Sequence, residues 1–203
     1  TNSDKKVEKI IIEELTKSRK KFSILSEEIG EVINSDKDSY WIIDPIDGTT
    51  NFLHGIPHFA ISIALKIKEE IVSGLIFDPI KNEMFYAEKN CGAYFNNQRI
   101  RVSKKKNLNE CLFSTGGKDK VNYNLNTRKS GSAALDMAYV GAGRYDGYFQ
   151  KNLNIWDIAA GIIIVREAGG EINDIDYSSN EVIKILAGSN SIYEKMLENL
   201  NNF

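Results

Sequence analysis

The sequence predicts a mixed α/β fold, and three observations carry that expectation. Apolar residues alternate or run along 59–67, 71–77 and 83–88, the pattern of successive antiparallel strands. Apolar positions recur at helical spacing over 4–19 and again over 132–142 and 156–165. Strand-like and helical stretches then alternate to the end, so a sheet-dominated half (1–110) is followed by a second α/β half (111–203). With 203 residues, 42% hydrophobic content and three prolines, the chain can bury a sizeable core as one domain or two closely packed halves.

Each element has its own signal. Val7, Ile10, Ile11 and Leu15 mark the first helix, residues 22–25 a short strand ending at Ser26-Glu27-Glu28, and the polar stretch 34–39 a loop. Trp41-Ile42-Ile43 reads as the end of a buried strand, and Pro45 presets the second position of a type I β-turn. After the three alternating strands, Gly92-Ala93-Tyr94-Phe95, Asn96-Asn97, Ile100 and Val102 predict a hairpin, because asparagine tolerates the left-handed conformation. Residues 111–116 read as a strand, 132–142 as a helix and 145–149 as a short strand. A helix opens at Trp156-Asp157 and stops at Gly169-Gly170; strands at 171–175 and 183–187 and a last helix over 191–200 complete the chain. There are no internal repeats and no low-complexity linker.

Composition excludes several classes. No apolar run approaches the roughly 20 residues that span a bilayer, and no charged-then-apolar signal segment opens the chain, so no membrane partner and a cytoplasmic location are expected. Cys91 and Cys111 have neither the number nor the spacing of a disulfide framework or zinc site and read as small core residues. A net charge of −2 gives no general pull toward nucleic acid, and the basic runs 17–21 and 104–106, without interleaved aromatics, read as solvated faces or loops.

The densest chemistry lies in 41–52. Asp44 and Asp47 stand three residues apart around Pro45, and Gly48-Thr49-Thr50 follows. Two carboxylates so close repel unless a cation lies between them, and hard oxygen donors suit Mg²⁺. Gly48-Thr49-Thr50 can open a helix whose free amides and dipole favour a phosphate. A second Asp-Pro pair, Asp78-Pro79-Ile80, lacks the second carboxylate and the hydroxyls and reads as an ordinary turn. His54 and His58 are four apart, but Pro57 argues against a continuous helix there and no third ligand is evident, so both read as structural.

Taken in order, Asp4, Glu27-Glu28, Asp44-Pro45-Ile46-Asp47-Gly48-Thr49 and Trp156-Asp157-Ile158-Ala159-Ala160-Gly161 resemble the inositol monophosphatase family of lithium-sensitive, Mg²⁺-dependent phosphatases. The likeness also takes in Gly131-Ser132-Ala133-Ala134 and Glu167-Ala168-Gly169-Gly170. It implies a layered αβαβα sandwich, with a larger antiparallel sheet, a smaller mixed sheet and the active site between the two halves. It further implies two or three Mg²⁺ ions held by Glu27, Asp44, Asp47, Asp157 and the Ile46 carbonyl, with Asp44 bridging. Glu27 and Thr49 would share the nucleophilic water, Asp4 would orient the Thr49 hydroxyl, and the Gly48 and Thr49 amides would receive phosphate oxygens. Adjacent Mg²⁺ ions suit so slow a hydrolysis, because they neutralise charge and activate water together.

Gly131, Ser132, Ala133 and Gln150 would line the substrate side. The family has glutamate where this chain has Gln150, so an amide with one acceptor and one donor replaces an anionic double acceptor. The expected substrate is a small phosphorylated polyol or sugar, inositol 1-phosphate foremost. Fructose-1,6-bisphosphatase-like or nucleotide 3′-phosphatase activities are rivals within the same chemistry, and a homodimer is implied by the resemblance alone. A regulatory partner of RNA or the transcription machinery is the rival of another class. Against the family pattern the chain lacks a helix and hairpin loop before Asp4 and is short before Ser130, which leads to the expectation of omitted segments at the start and near 116–117.

Overall fold

The computed structural model describes residues 1–116, 125–175 and 183–200. Eight strands form the larger sheet: β1 (Phe22–Ser26), β2 (Gly30–Val32), β3 (Asp36–Asp47), β4 (Ala60–Ile67), β5 (Glu70–Asp78), β6 (Glu83–Glu88), β7 (Gly92–Phe95) and β8 (Gln98–Arg99). Their order is β2-β1-β3-β4-β5-β6-β7-β8. The run from β3 to β8 is antiparallel throughout, whereas β1 pairs with β3 in parallel, so the sheet is mixed at one end. The hairpin between β7 and β8 turns on Asn96 (φ 42) and Asn97 (φ 68). Its second strand is only two residues long, and Ile100 and Val102 lie beyond it.

Two readings of the sequence need correction here. The polar stretch 34–39 is not all loop, since β3 already begins at Asp36. Backbone pairing of Asp36 with Phe22 and of Ser39 with Ile67 makes it strand, whatever the polarity of its side chains. The segment around Pro45 is likewise no β-turn. β3 runs on to Asp47, and Asp44 pairs with Ser62 while Asp47 pairs with Ala60, so β3 carries one extra residue as a bulge. Proline is tolerated there because a bulged residue need not donate to the ladder.

The smaller sheet has the order β10-β9-β11-β13-β12 and contains β9 (Phe113–Thr115), β10 (Thr127–Arg128), β11 (Gly147–Leu153), β12 (Gly170–Ile172) and β13 (Ile183–Ser189). It is mixed, parallel across β10, β9 and β11 and antiparallel across β11, β13 and β12. Five α-helices and a short 3₁₀ turn (Leu108–Glu110) complete the described fold: α1 (Asn2–Ser18), α2 (Thr49–Leu53), α3 (Ala133–Gly141), α4 (Ile155–Glu167) and α5 (Asn190–Asn199). The Thr1 hydroxyl caps α1 by accepting from the amides of Ser3 and Asp4.

Side-chain alternation builds the layers. On the larger sheet Ala60, Ala64, Ile76, Phe85 and Ala87 pack against Ala159, Ala160 and Ile163 of α4 and Leu135 of α3. On the smaller sheet Tyr148, Ile185 and Ala187 face α3 and α4, whereas Phe149 and Leu186 face Ile192 and Met196 of α5. Helices α3 and α4 therefore lie between the sheets, α5 covers the far side of the smaller sheet, and α1 packs along β3 of the larger one. This is the layered αβαβα arrangement expected. Cys111 is a core residue as read from the sequence, but Cys91 is exposed in the turn between β6 and β7. The anticipated junction at 116–117 lies partly outside the described residues.

Candidate active site

The bulge in β3 turns Asp44 and Asp47 toward one point, and Asp157, in the first turn of α4, reaches it from between the sheets. Ligand oxygens of these three carboxylates all lie within 4.8 Å of one another. Each is anchored locally. The Ile46 amide donates to Asp44 Oδ1 (3.0 Å), stiffening the bulge. Asp47 Oδ2 accepts from the Ser132 hydroxyl and from the Ala134 amide (3.0 Å), so it sits on the N-terminus of α3. Asp157 Oδ2 accepts from the Asn154 amide (2.7 Å) at the start of α4.

Glu27 reaches the cluster from the end of β1. Its amide donates to the Ile43 carbonyl (3.2 Å), and its side chain hydrogen-bonds Asp44. The turn that carries it is fixed from α1, where buried Glu8 accepts from the Ser26 hydroxyl and from the Glu28 amide (3.1 Å).

Electrostatics suit the cluster to a cation. Burial, with the charges of Asp47, Glu27 and Asp157 adding to it, pushes Asp44 up to about 10. Burial lifts Asp47 to about 7 against the Ser132 bond, and Asp157 to about 6 against the Asn154 bond. Glu27 is raised too, chiefly by burial. Two buried carboxylates and a half-buried third sharing one point, without a basic side chain among them, offer only hard oxygens, so the donor set fits a hard divalent ion.

The phosphate-side residues are interlocked. Thr49 Oγ1 donates to the Ile46 carbonyl (3.0 Å). Gly48 (φ 93) and Gly131 (φ 87) are both left-handed; a Cβ on Gly48 would lie 3.2 Å from the Gly131 carbonyl, and one on Gly131 would lie 2.9 Å from Asn51 Nδ2. Asn51 ties the two halves together by donating to the carbonyls of His58 (2.7 Å) and Ser130 (2.9 Å). Asp4 is buried; its Oδ2 pairs with the Thr1 hydroxyl, and its Oδ1 has no partner among the described residues.

A cavity of about 240 Å³ adjoins the carboxylates, lined by Asp47 and Asp157 together with Gly131, Ser132, Ala133, Asp136 and Gln150. The four residues assigned from sequence to the substrate side therefore share one wall. Ser132, though on that wall, spends its hydroxyl on Asp47. His54 caps the end of α2 and His58 packs edge-on against Tyr139; neither joins the acidic cluster. Trp156 packs on the core of the larger sheet.

Sequence reasoning missed Glu8, Asn51 and Asp136. The last had a signal, a lone carboxylate in the otherwise apolar run 133–141. Asp136 is buried and raised well above the usual carboxylate range by that burial, with the charge of Asp47 adding to it, and it accepts from the Ser130 hydroxyl (2.7 Å).

With this fold and site in view, the comparisons are decisive about ancestry. The model of the inositol monophosphatase family matches residues 1–202. An inositol-1-monophosphatase from Caulobacter vibrioides is 41% identical over 98% of this chain and 86% of its own length. The Nus factor SuhB of Escherichia coli K12 is 40% identical over 100% of this chain and 82% of its own. Among solved structures, the extragenic suppressor protein suhB of Bartonella henselae superposes with a TM-score of 0.91 at 45% identity, over 98% of this chain and 83% of that one. The chain belongs to the inositol monophosphatase family.

Proposed function

We propose that this chain is a Mg²⁺-dependent phosphate monoester hydrolase of the inositol-1-monophosphatase type. The observation that carries the reading is the meeting of Asp44, Asp47 and Asp157 at one largely buried point beside a cavity of about 240 Å³. Asp44, Asp47, Asp157 and Glu27, helped by the Ile46 carbonyl, would hold the two or three ions. Bound Mg²⁺ supplies charge neutralisation at the phosphate and a water acidic enough to attack it.

The protein's own groups do the positioning. The Gly48 and Thr49 amides hold phosphate oxygens. Thr49 and Glu27 orient the attacking water. In this structure the Thr49 hydroxyl is spent on Ile46, while Asp4 Oδ1 is a buried acceptor with no partner among the described residues. Redirecting the Thr49 hydroxyl hydrogen bond from Ile46 to Asp4 would free the Ile46 carbonyl for an ion, with the Thr49 oxygen left to accept from the water. Gly131, Ser132, Ala133 and Gln150 receive the alcohol. A cytoplasmic homodimer inhibited by Li⁺ completes the reading.

The test is phosphate release from inositol, glycerol, fructose and nucleotide phosphates, with and without Mg²⁺ and Li⁺. Release that needs Mg²⁺ and drops at least about a thousandfold in Asp44→Asn is expected; no turnover of any member of that panel overturns the proposal. The likeness to a Nus factor is compatible with a second reading, a regulatory binding role, but does not favour it. Salt-dependent RNA binding that survives Asp44→Asn would support it.

A further inference from the structure

One corner of the larger sheet carries a second cavity, of about 440 Å³, at β1, β3, β4 and the start of α4. α4 begins there at Ile155 and crosses the sheet toward the turn between β6 and β7, where Glu167 accepts from the Asn90 and Gly92 amides (2.8 Å each). Strand register builds the wall. Leu25 lies beside Ile42, Tyr40 lies opposite Lys66, and Ile155 joins them. Leu25, Ile42 and Ile155 stand two positions before Glu27, Asp44 and Asp157. The cavity is therefore a neighbour of the acidic centre, yet it shares no lining residue with the cavity on the substrate side.

Its charges differ in depth. The rim carries exposed Lys37 and Lys68 with exposed Asp38 and Glu69, two charges of each sign. Glu31 is engaged by the Tyr40 hydroxyl, which donates to its Oε1 (3.0 Å). Lys66 is the one half-buried charge in the lining. Its ammonium lies 5.7 Å from the centroid of the Tyr40 ring and pairs with no carboxylate among the described residues. An ammonium at that depth gains more from an anion than solvated lysines at the rim do.

We propose that this cavity is a second binding site, for a small carboxylic acid with an apolar or aromatic body. The carboxylate lies on Lys66 Nζ and the body against Leu25, Ile42 and Ile155. One unpaired ammonium suits a single negative charge; a phosphate monoester, near −2 at neutral pH, also meets the carboxylates of Asp38 and Glu69. The site goes beyond the phosphatase reading and does not depend on it.

Benzoate and benzyl alcohol are a matched probe pair, sharing a ring and differing in charge. Each is titrated into the protein with a chelator present, so that no metal draws the anion to the acidic centre, and followed by the backbone amide resonances of Leu25, Ile42, Lys66 and Ile155. Saturable shifts at these residues are expected with benzoate, and binding about tenfold weaker with benzyl alcohol. Lys66→Met keeps an apolar stem and removes the charge, so it should weaken benzoate about tenfold and leave benzyl alcohol unchanged. Lys68→Met, at the rim, should alter benzoate binding by no more than about twofold. Thermal unfolding establishes that both variants fold. Benzoate that gives no saturable shift at these residues, benzyl alcohol that binds as tightly, or a Lys66→Met variant that binds benzoate like wild type would each overturn the assignment.

Discussion

Ser132 holds two structures at once. Its hydroxyl accepts from the Leu135 amide as the N-cap of α3 and donates to Asp47, fixing a carboxylate of the acidic cluster onto that helix end. Ser132→Ala is therefore expected to cost about 0.5–2 kcal/mol through the lost cap. It also leaves Asp47 with one fewer donor, so the affinity for Mg²⁺ should fall. Urea unfolding reads the first effect and calorimetric Mg²⁺ titration the second; a variant unchanged in both would contradict this double role. Asn51 is comparable, since one amide group bonds two carbonyls 72 residues apart (130 − 58). Neither role is visible in sequence, because each partner is chosen by the tertiary fold.

At the level of elements, α4 determines the geometry of the centre. It lies against β5 so closely that a Cβ on Gly74 would come within 2.6 Å of Ile163 Cγ2 and 2.8 Å of the Ala160 backbone. Gly74→Val should overpack this contact at a cost of about 1–3 kcal/mol. Because Asp157 rides on the same helix, phosphate release should fall as well. A urea midpoint equal to wild type would show the contact to be looser than described.

Much of the element layout was legible in the sequence. Alternation in β4, β5 and β6 and helical spacing in α1, α3 and α4 are local signals that survive into the fold. The run 41–52 also stood out, since its carboxylates, proline and glycine are close in sequence. What sequence hid was register. The bulge at Pro45 exists only against β4, the polar start of β3 is strand only because β1 and β4 pair with it, and Cys91 is exposed because of where one turn falls.

Across the whole molecule, buried charge couples stability to pH and to metal. Folding lifts Asp44, Asp47 and Asp157 from the ordinary 3.8 to about 10, 7 and 6. Between those limits the folded protein retains protons that the unfolded chain has released, so the unfolded state binds fewer and stability falls as pH rises. With a chelator present, the unfolding temperature is expected to decline from about pH 4 toward pH 9. Divalent ions bind the deprotonated carboxylates, so the rise in unfolding temperature produced by Mg²⁺ should grow over the same range. A chelated protein equally stable throughout, or a Mg²⁺ effect largest in acid, would contradict this linkage.

The centre is also divided in chain order. Glu27, Asp44 and Asp47 come from β3 and the turn after β1 in the first half, while Ser132 and Asp157 come from the starts of α3 and α4 in the second. At the ribosome, the first three acids emerge well before the residues that cap and complete them. A nascent chain halted before α3 displays carboxylates with no Ser132 to hold Asp47 and no Asp157 to close the ring. On the proposed metal reading, ion capture would mark finished synthesis, and a pair of complementing fragments cut between β9 and α3 could be followed as they assemble by any metal they take up.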